Sequence, residues 1–391
     1  MKKSYHLTLL LISLGWLIIF VGRLTPSTLL VQIMKDLQIT DVQAGVALSG
    51  MWFLYGIMQY PGGAFSDAVG RKKIIALSLV CFSFASFLMG MNINFVTFIF
   101  TCSFIGFASG ILPIPSFTMI SELFGPKKGK ALGIHSSIGS ISGLVPLTLP
   151  FIVVIFGWRN IFLLWGVLGC LIAYLFYLLS TESLTKPEKK SHIDRFKTGL
   201  NSLTEKDTFF MLIVNLIISF AWIGLLSWFP TYIQQEKGFG PEVAGLLFSI
   251  VLSGGLLLKP IIGHLSDKIN RLLIMTVLTA LACVSLYALT ISNSFIALVI
   301  VSFALSQTSA FYLVRTSYLM DMWHSKSAGT NLGTFRSLVV LLGSPISALI
   351  GWSKGIYEFN TIILMISVGL LFAVALLVTR LIKEEWAILK K

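Results

Sequence analysis

The stretch Gly63-Ala64-Phe65-Ser66-Asp67-Ala68-Val69-Gly70-Arg71-Lys72-Lys73 separates two apolar runs, roughly 44–65 and 74–93. A helix that crosses a bilayer needs about 20 mostly apolar residues, and each run has that length. A polar loop this short can only join them as a membrane hairpin. The loop also has an echo: Gly63, Ser66, Asp67 and Arg71 recur as Gly263, Ser266, Asp267 and Arg271, each 200 residues later. The same offset pairs Ala44-Gly45 with Ala244-Gly245, Gly133 with Gly333 and Gly143 with Gly343. One shift that fits several separate segments is the mark of an internal repeat.

Outward from the loop, ten further apolar windows follow the same length rule: 7–31, 95–121, 131–156, 160–180, 209–233, 243–265, 272–292, 294–320, 328–352 and 359–382. The expected fold is therefore an all-α membrane protein of twelve transmembrane helices in two six-helix pseudo-repeats. The first half covers 1–180, a charged linker 181–208, and the second half 209–391. An even number of spans separates equivalent positions, so the halves run parallel. Of the 391 residues 56% are hydrophobic and 12% charged. Soluble domains carry about 25% charged residues. A water-facing surface cannot be built from this composition.

The net charge of +13 would point to nucleic acid in a soluble protein, but it sits in the loops. With the N-terminus in the cytoplasm, 21 of the 29 Lys and Arg fall on the inside and only Lys35, Arg159, Lys237 and Lys354 on the outside. That imbalance follows the positive-inside rule, so both termini and the linker are expected in the cytoplasm of a multi-pass protein in the cell membrane, with no nucleic-acid partner. The opening Met1-Lys2-Lys3 and its apolar run read as a retained first helix, because no small-residue cleavage site follows. Cys81, Cys102, Cys170 and Cys283 lie apart in apolar windows without metal spacing and read as packing residues. No cofactor, metal or enzyme motif is present.

The loop at 63–73 resembles the signature loop of the major facilitator superfamily. Residues 263–271 resemble its degenerate second copy, and Gly157-Trp158-Arg159 with Phe162 resembles another recurrent piece. The resemblance implies a transporter in which this cluster acts as a cytoplasmic latch. It assigns gating to Gly63, Asp67, Gly70, Arg71, Glu122, Asp267, Arg271 and Asp321. Topology anchoring is the plainer reading of the same charges. Glu122 and Asp321, at the ends of their spans, also read as partners of nearby Lys127, Lys128 and Lys326 or of each other's gate.

Four cations remain inside the spans: Arg23, Lys259, Arg315 and Arg336. Such a charge costs at least about 2.5–3.5 kcal/mol, which makes each a functional candidate by default. Arg23 lies deepest. The others sit nearer the cytoplasmic ends, where long side chains can snorkel. Their counterparts at the 200-residue offset, Ile223, Gln59, Pro115 and Ser136, are uncharged, so these cations are no repeated scaffold device. No carboxylate lies near mid-membrane. Cations without anions favour a solute that supplies the negative charge, and an Arg fork suits a carboxylate or phosphate.

Arg23, with Trp228-Phe229-Pro230-Thr231-Tyr232 ending the seventh span, resembles the anion:cation symporter and organophosphate:phosphate antiporter branches of the superfamily. That resemblance implies that Arg23 contacts an anionic substrate. The seventh span has no basic residue midway, a departure that weighs against a phosphorylated substrate. Tyr55, Gln59, Tyr232, Gln307 and Tyr312 complete the substrate-binding candidates, and Asn215 and Asn331 are further polar positions. Each is equally an ordinary helix–helix hydrogen bond. His135 is the candidate proton carrier, since imidazole titrates near neutral pH. The expected function is alternating-access transport of a small organic anion, proton-coupled or by exchange, by a monomer. Efflux of lipophilic solutes and a non-transporting sensor on the same scaffold are the alternatives.

Overall fold

The structure, a computed structural model, describes residues 5–182, 192–323 and 328–389, and among these it is helical with no strand. In chain order the helices are α1 (Tyr5–Thr28), α2 (Leu30–Leu37), α3 (Asp41–Val69), α4 (Arg71–Gly90), α5 (Phe95–Ile111), α6 (Pro113–Phe124), α7 (Lys128–Ile141), α8 (Val145–Leu179) and α9 (His192–Leu203). They continue as α10 (Lys206–Gln235), α11 (Pro241–Ser253), α12 (Gly255–Ser266), α13 (Arg271–Ile291), α14 (Phe295–Ser306), α15 (Thr308–Trp323), α16 (Ala328–Gly343), α17 (Ile346–Ser353) and α18 (Phe359–Leu389).

Helix ends and breaks follow local chemistry. Thr40 caps α3 by accepting from Gln43 N while the Gln43 side chain accepts from Thr40 N, and Asn94 and Thr97 do the same for α5. Pro113 opens α6, where its missing N–H and the restriction it places on Leu112 interrupt the run begun by α5. Gly157, at φ 73°, bends α8 in a conformation that residues with a Cβ rarely adopt.

Among the described residues nine stretches are long and apolar enough to cross a membrane. The longest, Phe95–Leu179, has 85 residues. As one rod it would reach about 130 Å, some four times the hydrocarbon thickness. It does not run as one rod: Leu112, the turn at Gly125–Lys127, residues 142–144 and Gly157 break it. Large apolar side chains such as Phe84, Phe100, Val154, Ile155, Ile296 and Val368 stand exposed, as a lipid-facing surface requires.

The helices before α9 meet those after it along α3, which packs on α16 and α17, and along α8, which packs on α11. The approach is backbone to backbone. A Cβ on Gly45 would collide with the Ser347 carbonyl, and one on Gly351 with the Asp41 carbonyl. Ser49 Oγ donates to Ser344 O at 2.8 Å and accepts from Ala348 N at 2.8 Å. Lys354 Nζ pairs with Asp41 at 2.5 Å and donates to Gln235 Oε1 at 2.6 Å. These ties lie in the part of α3 near Asp41. The loop after α3, with Asp67 and Arg71, is at the opposite end, about 40 Å along the helix.

Candidate functional site

Arg23 occupies the middle of the bundle with 5% of its surface exposed. Phe20, one turn earlier on α1, and Trp52 and Tyr55, one turn apart on α3, present ring faces to its guanidinium at 4.4, 5.0 and 4.2 Å. Side chains three apart share a helix face, and that spacing is what lets two helices build one aromatic cage. Cation–π contacts of this kind are worth about 0.5–2 kcal/mol each and leave the charge unneutralised. No carboxylate pairs with Arg23 among the described residues, and its Nε lacks a hydrogen-bond partner. Gln59 lies one turn beyond Tyr55 and is buried. Trp52 Nε1 donates to Ser227 Oγ at 3.1 Å, Ser227 shares a 2.7 Å hydrogen bond with Ser347, and Trp228 Nε1 donates to Ser347 O at 3.0 Å. The cage is thereby joined to the α10–α17 wall.

Arg315, on α15, is 3% exposed; it donates through Nη1 to Asn215 Oδ1 at 3.3 Å and lies over Tyr312 at 5.0 Å and Phe335 at 5.7 Å. The Asn215 amide nitrogen is committed to Met211 O at 2.8 Å, which turns its oxygen toward Arg315. Arg336 follows Phe335 on α16 and is exposed. Lys259, on α12, is half-buried and packs its stem near Gly255 and Ser309 rather than joining Arg315.

His135 is fully buried between Trp16 and Phe117, ring centroids 5.5 and 5.3 Å away. Its Nδ1 is 3.1 Å from Ser13 Oγ, which itself donates to Leu9 O at 2.7 Å. With the Ser13 proton on Leu9 O, Ser13 accepts from Nδ1–H; in either tautomer Nε2 is buried without a partner.

The structure separates other candidates from this centre. Tyr232 OH sits between Asn360 Oδ1 at 2.6 Å and Leu289 O at 3.2 Å, a joint of α10 with α18 and α13. Gln307 donates to Leu278 O at 3.0 Å and ties α14 and α15 to α13. Near the far end of α3, Arg71 binds Asp67 at 3.2 Å and forms an ion pair with Glu122, while Gly70 turns the chain at φ 108° and Ser66 Oγ donates to Gly63 O at 2.7 Å. The repeat reproduces this: Arg271 binds Asp267 at 3.4 Å and pairs with Asp321. Glu122 and Asp321 thus form ion pairs with these arginines. α6 packs on α3 and α4, and α15 on α12 and α13, so each acid faces the preceding loop. Lys326 lies outside the described residues. Among the described residues no cluster of three or more His, Cys, Asp or Glu could hold a metal.

The sequence reading missed Phe20 and Trp52 as ring faces for Arg23, although their three-residue spacing to Arg23 and Tyr55 was available, and Phe335 as a ring face for Arg315, which no local spacing marks. It also missed the Lys354–Asp41 bond.

The model of the major facilitator superfamily matches residues 11–348 and, in a second stretch, 233–388. The chain is 25% identical over 300 residues to a D-galactonate transporter of Escherichia coli, covering 69% of this chain and 68% of that protein. It is 27% identical over 285 residues to a probable galactarate/D-glucarate transporter of E. coli, covering 64% of each. A hexuronate transporter of Bacillus subtilis is 24% identical over 251 residues, covering 61% of this chain and 59% of that one. In fold, the chain superposes on an inward-facing, unoccupied bacterial homolog of the human lysosomal transporter Spinster with a TM-score of 0.77 at 16% identity, covering 96% of this chain and 97% of that one. A nucleoside transporter superposes with a TM-score of 0.81 at 13% identity, covering 96% and 99%. At these identities the two structures speak for the fold alone.

Proposed function

Because the chain belongs to the major facilitator superfamily, we propose that it moves a small organic anion of the carboxylate type across the cytoplasmic membrane by alternating access. Arg23 carries this reading. A buried guanidinium held by three ring faces and no carboxylate retains its full charge, and an entering carboxylate would meet it with a bidentate hydrogen bond. The sugar-acid names of the relatives support the same substrate class.

The arrangement proposed is twelve spans in two halves, 1–180 and 209–391, joined by the linker 181–208, with both termini in the cytoplasm. The turn at Gly125–Lys127 and the bend at Gly157 divide Phe95–Leu179 into three parts of membrane-crossing length, and these, together with the 29-residue α3, support that number. In this orientation the Asp41–Lys354 seam closes the outer face, and the conformation is open to the cytoplasm. Asp67–Arg71–Glu122 and Asp267–Arg271–Asp321 are then the inner latches. His135 Nε2 is the proton acceptor that couples transport to a gradient.

Uptake into proteoliposomes tests the reading. D-Galactonate and D-glucuronate are supplied outside vesicles with an alkaline interior. Accumulation of either acid that Arg23→Gln abolishes is the expected result. Transport of lipophilic cations instead, indifferent to Arg23→Gln, would overturn it.

A further inference from the structure

We propose that Arg315 and Arg336, with Asn215, form a second oxyanion subsite on the inner side of the bundle, distinct from Arg23; the inference rests on the anion-transport reading above. Arg315 is buried, yet its contacts are one neutral amide oxygen and two ring faces, and its Nε has no partner. A buried charge in that condition calls for an anion. Arg336 adds to the demand. It directly follows Phe335, whose ring lies under the Arg315 guanidinium at 5.7 Å, and neither arginine has an ion pair among the described residues. Two guanidinium groups without counter-ions, one buried and one exposed, make a socket that an oxyanion can enter from the exposed side and bridge.

Distance separates this socket from the first. The Arg23 cage touches α10 through Trp52 and Ser227, whereas Arg315 touches it at Asn215. Those contacts are twelve residues apart on one helix, about 18 Å at 1.5 Å per residue. A single carboxylate cannot serve both. A six-carbon diacid, with its carboxyl carbons about 6 Å apart, is too short to bridge that distance, so the second group is a separate small anion.

The experiment is isothermal titration of the purified full-length chain with D-gluconate, D-glucarate and sulfate, in wild type, Arg23→Gln, Arg315→Gln and Arg336→Gln. Gluconate and glucarate share a six-carbon skeleton and differ by one carboxylate. The expected result is that Arg336→Gln and Arg315→Gln weaken sulfate about tenfold while gluconate is unchanged, since each 1.4 kcal/mol is a tenfold change in Kd. Arg23→Gln removes gluconate binding. Sulfate binding that adds to gluconate binding assigns the socket to a second anion; loss of glucarate but not of sulfate in Arg336→Gln overturns it. Arg336 is exposed, so its variant carries the test even where the buried Arg315→Gln fails to fold. Unaltered binding of all three anions in Arg336→Gln, or an equal loss of all three, overturns the proposal. Wild type that binds sulfate through Arg336 but neither sugar acid sinks the organic-anion reading and leaves the socket standing. Wild type that binds none of the three overturns both.

Discussion

Lys354 Nζ lies 2.5 Å from Asp41 Oδ1, which joins the C-terminal end of α17 to the first residue of α3 across 313 residues of sequence. The lysine also lies over the Trp228 and Phe359 rings at 5.2 and 4.8 Å and is 11% exposed, so it is shielded better than most surface pairs.

Breaking this bond should therefore loosen the seam without unfolding the chain. Lys354→Gln is expected to shift the balance between the closed and open seam about fivefold toward open, the effect of roughly 1 kcal/mol. Distances between spin labels at the ends of α3 and α17 read the shift. The exchanged pair Asp41→Lys with Lys354→Asp should restore the closed population.

The Arg23 cage discriminates charge from shape. Arg23→Lys keeps a positive charge but loses the planar fork that stacks on Tyr55 and Phe20 and grips a carboxylate at two points. Affinity for the transported acid should fall at least about tenfold in Arg23→Lys and further in Arg23→Gln. An Arg23→Lys variant with wild-type affinity would reduce the site to a point charge.

The two latch clusters are matched in chemistry and unequal in surroundings. Side-chain exposure of Arg71, Glu122 and Asp67 is 12%, 15% and 23%, against 23%, 64% and 70% for Arg271, Asp321 and Asp267. Removing the arginine takes a cation from half-buried acids in the first cluster and from solvated ones in the second. Arg71→Gln should lower stability by about 2–3 kcal/mol and Arg271→Gln by less than about 1 kcal/mol, read as melting temperatures in one detergent. Equal losses would contradict the ranking.

His135→Gln keeps a polar group against Ser13 and removes the basic Nε2. Gradient-driven accumulation should collapse while exchange of labelled for unlabelled solute continues, since exchange needs no net proton movement. Proteoliposome uptake with and without a pH difference makes the comparison, and accumulation that survives the substitution would exclude His135 as the proton carrier.

What the sequence made legible tracks how unusual each residue is in its setting. Arg23 and Arg315 stand out because a charge in an apolar run is costly, and the latch residues Asp67 and Arg71 because an offset of 200 repeats them. Phe20 and Trp52 did not stand out: in a chain with 13% aromatic residues, a ring in a span is unremarkable until a cation lies over it. Lys354 looked like an ordinary loop lysine, since nothing local marks Asp41 as its partner. Tyr232 looked like a ligand because a hydroxyl in a span must bond something, and its neighbours Asn360 and Leu289 are distant in sequence.

Trp52 gives its face to Arg23 and its edge to Ser227, so one indole senses both the solute and the seam. A carboxylate that draws the guanidinium off the ring and a rocking motion that pulls Ser227 away disturb the same side chain from perpendicular directions. Filling the site and parting the wall are then a shared event at this residue, and its fluorescence is a built-in gauge of whether the two happen together or in turn.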